Sequence, residues 1–165
     1  LRILRQEGRE VSGHFYNPNI HPYLEYKKRL DTVDAYAGQN GLTMIREEDY
    51  PLEGFLRQVV FREEDRCRHC YHLRLARAAQ TAKKGSFNAF TTTLLYSRFQ
   101  KHDLIRSIGE EMAVKYDIPF LYRDFRMGWS EGVQISRALG LYRQPYCGCI
   151  YSEQERYCHK RSRVI

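Results

Sequence analysis

Cys67 and Cys70 in Arg66-Cys67-Arg68-His69-Cys70, and Cys147 and Cys149 in Tyr146-Cys147-Gly148-Cys149, are the residues best suited to chemistry in this chain. A C-x-x-C and a C-x-C each present two sulfurs close together, which suits a metal centre better than scattered structural roles. Cys67 and Cys70 stand at i and i+3 on the N-terminal side of a helical stretch, so one helix face carries both. Helix-start amides and the neighbouring Arg66 and Arg68 favour the thiolates that bind metal. A structural zinc knuckle is the plain alternative, but a knuckle turns on Gly after its cysteines, and Tyr71-His72-Leu73 runs on into helix. A thioredoxin-like dithiol would follow a strand, whereas Arg62-Glu63-Glu64-Asp65 precedes this pair. Gly148 lets the backbone fold tightly between Cys147 and Cys149, for which burial as plain cysteines is the alternative. Cys67, Cys70, Cys147 and Cys149 are therefore expected as metal ligands. Cys158, in the polar Arg156-Tyr157-Cys158-His159-Lys160, is expected to be a bystander.

Two further segments carry candidate binding groups. Asn17-Pro18-Asn19-Ile20-His21-Pro22 is a rigid loop presenting two amides and an imidazole, for substrate contact or for turn hydrogen bonds. Arg123-Asp124-Phe125-Arg126 reads as a salt-bridged loop or a phosphate-binding one.

These residues must be positioned by an alternation of strands and helices. Leu1 to Glu7 reads as the last turns of a helix stopped by Gly8, and Val11 to Tyr16 as a strand ended by the Asn17-Pro18-Asn19 turn. Pro22 opens a helix through Ala37, with Leu30, Val33 and Ala37 as its apolar stripe. Leu42 to Ile45 is a second strand, and Pro51 begins a shorter helix. Cys70 to Lys84 is helical up to Gly85, Asn88 to Thr93 is a third strand, and Asp103 caps a helix through Tyr116. Ile118 to Tyr122 is a fourth strand, and a last helix spans Ser130 to Leu139 before Gly140. This alternation predicts an α/β fold, a single-domain Rossmann-like and mostly parallel sheet flanked by helices. In such sheets functional groups gather where strands end, here in Asn17 to Pro22, Leu94 to His102 and Arg123 to Trp129. A sheet of this type opens on a strand, yet here a helix is already ending at residue 8, so the first strand is expected to be missing. Residues 1–152 are read as the α/β domain and 153–165 as a basic C-terminal tail.

Composition narrows the class. The 165 residues suffice for one core without disulfides, no apolar run is long enough to span a membrane, and no secretory leader is visible. Five cysteines is an odd count and C-x-C is short for a bridge, which argues against a secreted disulfide scaffold and for the cytoplasm. Twenty-seven Lys and Arg against twenty acids give +7, alongside thirteen tyrosines. That balance invites a polyanion, with RNA first because aromatic faces stack on unpaired bases. A zinc-stabilised RNA-binding module shares the charge and the thiols. A nucleotide-binding transferase is weakened by the lack of any G-x-x-x-x-G-K-[ST] or G-x-G-x-x-G.

Several blocks together carry a family resemblance. Phe15-Tyr16-Asn17-Pro18-Asn19-Ile20-His21-Pro22 with Glu25-Tyr26, Arg66-Cys67-Arg68-His69-Cys70-Tyr71 with Arg74-Leu75, and Thr91-Thr92-Thr93-Leu94-Leu95 with Ser97 resemble QueH-type epoxyqueuosine reductases. Tyr122-Arg123-Asp124-Phe125-Arg126 and Tyr142 through Ser152 fit the same pattern, in the same order. The resemblance implies an iron–sulfur enzyme that removes the epoxide oxygen of epoxyqueuosine in tRNA to give queuosine, with an external electron donor. It also implies a leading strand and an adjacent Cys-Cys pair, which this sequence lacks. By analogy, Cys67 and Cys70 supply two ligands of a 4Fe–4S cluster, and Cys147 and Cys149 hold an additional mononuclear iron. Tyr16, Asn17, Asn19, Arg126 and Arg143 are expected at the substrate, with Tyr146, His69 and His21 as candidate proton donors.

Overall fold

A computed structural model describes residues 1–158. They divide into two compact units, one made of Leu1–Phe55 with the segment from Leu141 onward, the other of Leu56–Gly140.

The first unit carries α1 (Arg2–Gln6), β1 (Gly13–Phe15), α2 (Tyr23–Gln39), β2 (Met44–Arg46), the start of α3 (Leu52–Val59) and the last helix of the described residues. β1 and β2 pair in parallel, Gly13 opposite Met44 and Phe15 opposite Arg46, with α2 as the crossover between them. That β–α–β order is the repeating unit of α/β folds. Phe15, Ile20, Tyr26 and Leu30 form its core, with Val33, Met44 and Tyr50 packed against them. Tyr26, Leu30 and Val33 lie at helical spacing, so one face of α2 covers the strands.

The second unit is built on α4 (Arg66–Lys84) and α5 (His102–Tyr116), followed by α6 (Trp129–Ala138). Tyr71, Leu75, Ala79 and Ala82 of α4 pack with Ile105, Ile108 and Met112 of α5 around Phe90, Leu95 and Ile118. The expected third and fourth strands shrink to one parallel bridge, Phe90 opposite Phe120. Two backbone bonds make it: Phe90 donates to the Pro119 carbonyl at 3.0 Å, and Leu121 donates to the Phe90 carbonyl at 2.8 Å. Beyond it the threonines compete with the ladder, because the Thr91 hydroxyl takes the Leu121 carbonyl at 2.8 Å and Thr92 Oγ1 accepts from the Leu94 amide at 3.2 Å. The chain then closes into a 3₁₀ turn at Thr93–Tyr96.

Other expectations shift at their edges. α4 starts at Arg66 rather than Cys70, so both cysteines lie inside its first two turns. Asp103 sits in the first turn of α5 instead of capping it. Helix α7 (Ile150–Tyr157) was not expected, since its Ser-Glu-Gln-Glu-Arg interior has no apolar period. It runs across the expected boundary at residue 152, and residues 159–165 of the expected tail lie outside the described residues. The fold class is α/β with parallel pairing flanked by helices, as the sequence predicted.

Candidate functional site

In the first unit the C-x-C loop is held by a buried arginine. Arg29, on α2, donates from Nη1 to the Cys147 carbonyl at 2.9 Å and from Nη2 to the Tyr146 carbonyl at 3.0 Å. Its Nε donates to Glu25 Oε1 at 2.7 Å, one helical turn back. Glu25 Oε2 in turn accepts from the Tyr142 hydroxyl at 2.7 Å. Each of the three guanidinium nitrogens thus finds an acceptor, which offsets part of the cost of burying the charge. Gly148, between the cysteines, has φ +121, and a Cβ there would crowd Arg29 Nη1 at 2.8 Å and Ile20 Cγ1 at 2.9 Å. Only glycine fits that position.

The Asn17–Pro22 loop closes on the same cysteines. The His21 amide donates to the Gly148 carbonyl at 2.8 Å, and the Tyr146 hydroxyl donates to the His21 carbonyl at 2.7 Å. Cys149 is buried. Cys147 is exposed, and its thiol donates to Ser152 Oγ at 3.0 Å while that hydroxyl donates to the Cys149 carbonyl at 2.7 Å. Burial, then Glu153 and Glu25, pushes the Tyr146 phenol up to about 12. Burial and the bond to Glu25 likewise push Tyr142 up to about 12.

Two buried polar groups of this loop lack partners. Asn19 Oδ1 and both ring nitrogens of His21 make no hydrogen bond, although each residue is 2% exposed. Burial lowers the pKa of His21, and the nearby Pro18 carbonyl opposes that shift without forming a well-aligned bond. A neutral imidazole in contact with the Phe55 ring at 5.3 Å follows. Unsatisfied buried polar atoms are rare in native proteins, which sets this loop apart from an ordinary turn. Of the other candidates, Tyr16 is half-buried with its ring parallel to His14, Asn17 accepts from the Ile20 amide at 3.3 Å through its carbonyl, and Arg143 is exposed.

In the second unit, Cys67 and Cys70 lie half-buried on α4, with Cys67 packed on the hydrophobic core. Arg66 donates to the Glu63 carbonyl at 2.7 Å, and Arg68 pairs with Asp65 at 3.6 Å. His69 has an unpartnered Nε2 and a pKa lowered by burial and then by His72 and Arg62. Arg126 is committed to Asp124 through both carboxylate oxygens, and this pairing holds the Asp124 carboxyl down to about 2.

The structure thus brings His21, Tyr146, Cys147 and Cys149 together in one unit, and Cys67, His69 and Cys70 together in the other. Each cysteine pair is a two-sulfur half-site of the chemistry that iron and zinc accept. Among the described residues no three His, Cys, Asp or Glu side chains gather into a set that could hold a metal alone. Sequence reasoning missed Arg29. Its one signal was the Glu25-x-x-x-Arg29 spacing, which pairs the two side chains on a helix but does not point to a cysteine loop over a hundred residues away.

Comparison with known proteins adds the family. The model of the family described as "Epoxyqueuosine reductase QueH" matches residues 1–155. A protein of that name from Dehalococcoides mccartyi is 35% identical over 157 residues, covering 95% of this chain and 86% of that protein. One from Thermotoga maritima is 37% identical over 158 residues, covering 90% of this chain and 82% of that protein. A longer relative of the same name, from Helicobacter pylori, is 34% identical over 157 residues that make up 42% of its length. With its cysteine pairs and their supporting residues inside the matched span, the chain belongs to the epoxyqueuosine reductase QueH family.

Proposed function

We propose that this chain is an epoxyqueuosine reductase acting on tRNA, removing the epoxide oxygen of epoxyqueuosine in the anticodon loop to leave queuosine. The observation that carries the reading is the family match over residues 1–155, which takes in both cysteine pairs and the Arg29 cluster. The reaction consumes two electrons and two protons, breaks both epoxide C–O bonds, forms one C=C bond and releases water. Cys67 and Cys70 would supply two thiolates to a 4Fe–4S cluster, and Cys147 and Cys149 would hold a further iron. When bound, such centres supply single electrons and a Lewis acid.

The chain's own residues do the rest. Arg29 fixes the Cys147–Cys149 loop through two backbone carbonyls, so the thiols are presented on a rigid turn. Tyr146, His21 and His69 are the candidate proton donors, and Tyr146 keeps its proton at neutral pH. The unpartnered amide oxygen of Asn19 supports a contact with a substrate hydroxyl, with Tyr16, Asn17, Arg126 and Arg143 as the other substrate contacts. The reaction is assigned to the cytoplasm, where cysteines stay reduced, with an external electron donor. No helix among the described residues is long and apolar enough to cross a membrane.

The test is an anaerobic incubation of the protein with a reductant and tRNA carrying epoxyqueuosine, followed by nucleoside mass analysis. The expected product is lighter by one oxygen atom. Unchanged nucleoside, from protein that is colourless and loaded with zinc, would sink the reading.

A further inference from the structure

The loops 94–102 and 123–129 follow the two bridged segments of the second unit and meet at one surface whose aromatic side chains the proposed reaction leaves without a task. The Phe125 amide donates to the Leu95 carbonyl at 3.2 Å, and the Tyr96 hydroxyl donates to the Trp129 carbonyl at 3.1 Å. Gly132 makes room for this, because a Cβ there would overlap the Tyr96 hydroxyl. The Tyr96 and Trp129 rings then lie 5.2 Å apart, and Phe99 meets Trp129 edge-on at 6.0 Å.

Packing explains Tyr96 and Trp129, which are half-buried, but not Phe99, which is 75% exposed. Arg98 adds the informative charge. Its guanidinium lies 5.8 Å from both the Phe99 and the Trp129 ring, and it forms no ion pair among the described residues. Lys101 likewise has no acidic partner among them, and Tyr96-Ser97-Arg98-Phe99-Gln100-Lys101-His102 contains no acid. An apolar protein partner would be served by the rings alone. An exposed ring beside a half-buried indole, flanked by unneutralised cations, instead matches a flat base and its phosphate. The loop is not adrift: the Tyr71 hydroxyl, one residue beyond Cys70, donates to Gln100 Oε1 at 2.7 Å and accepts from the Lys101 amide at 3.3 Å.

We propose that Phe99, Trp129 and Arg98 form a stacking platform for an unpaired base of an RNA loop, with Lys101 on the adjoining phosphate. This rests on the tRNA reading above and adds to it a named surface. Trp129 is the sole tryptophan of the sequence, so its emission reports on the platform directly.

The experiment titrates the protein with an unmodified anticodon stem-loop RNA, following tryptophan emission and filter retention in parallel, with a blunt RNA duplex as control. Saturable quenching by the stem-loop and little by the duplex is the expected result. Phe99→Ala should weaken stem-loop binding about tenfold without altering the thermal midpoint, and Phe99→Tyr should restore it. RNA retained with emission unmoved, and binding unchanged by Phe99→Ala, would overturn the platform while leaving the tRNA reading intact. No retention of either RNA at low salt would remove the tRNA reading and the platform with it. Emission that shifts with protein concentration and not with RNA would assign the patch to contact between copies of the chain and overturn the proposal.

Discussion

Arg29 is the side chain on which the cysteine loop of the first unit depends. It is 7% exposed and paired with Glu25 at 12%; each guanidinium nitrogen of Arg29 makes a hydrogen bond, and so does each carboxylate oxygen of Glu25. Removing one member of such a cluster strands the other's charge in a place with little water. Arg29→Met should therefore cost about 3–5 kcal/mol in denaturant unfolding. It should also free the Cys147–Cys149 loop, so iron content in anaerobically purified protein should fall while sulfide is largely kept. Arg29→Lys should recover less than half of the lost stability, because an ammonium cannot reach two carbonyls and a carboxylate at once. The cysteines themselves should separate by pair. Cys67→Ala or Cys70→Ala should strip most inorganic sulfide, Cys147→Ala or Cys149→Ala should chiefly remove the additional iron and abolish epoxide reduction, and Cys158→Ala should change neither. Sulfide lost from the Cys147 variant and kept in the Cys67 variant would reverse the assignment.

At the scale of elements, the turn that leads from the bridged segment at Phe120 into α6 is pinned by an ion pair. Asp124 accepts from the Arg126 side chain and from its backbone amide at 3.0 Å. Its folded pKa of about 2 lies below the ordinary 3.8. The contribution of this pair is therefore complete above the unfolded value and fades as pH falls from about 4 toward 2. Because both groups are at the surface, salt screens the effect. A carboxyl titration by NMR should find Asp124 ionising near 2, and in Arg126→Gln near its ordinary value. An ordinary midpoint in the parent protein would show that the turn does not hold the pair in solution. α6 begins at Trp129, immediately after this turn, so its opening residue inherits whatever order the pair imposes.

For the molecule as a whole, the excess of seven positive charges should govern RNA affinity. Each phosphate contact releases counterions, so binding of unmodified tRNA should fall steeply and linearly in log–log form with salt. Arg143→Ala should weaken turnover and flatten that slope by about one unit, with iron content intact. Affinity unchanged between low and physiological salt would count against tRNA as the substrate. The two compact units carry one cysteine pair each, so metal analysis of variants in either pair reads the contribution of that unit separately.

Local sequence determined much of this protein. Helix spacing placed Cys67 and Cys70 on one face of α4, glycines at 8, 85, 140 and 148 marked turns or helix ends, and alternating elements predicted a parallel α/β arrangement that β1 and β2 display. These features rest on neighbours within a few residues, where backbone geometry leaves few choices. Tertiary structure decided the rest. The Thr-rich third strand stops after one bridge, where the Thr91 hydroxyl takes the Leu121 carbonyl and Thr92 Oγ1 accepts from the nearby Leu94 amide. Arg29 reaches Tyr146 and Cys147, residues far along the chain, and the aromatic platform joins two loops that sequence could only nominate separately. The helix α7 is short and its interior, Ser152 to Arg156, is wholly polar, so few apolar residues announce it. Such contacts follow from which buried donors and acceptors the folded chain brings within reach, a pairing problem whose answer is not written in any local window.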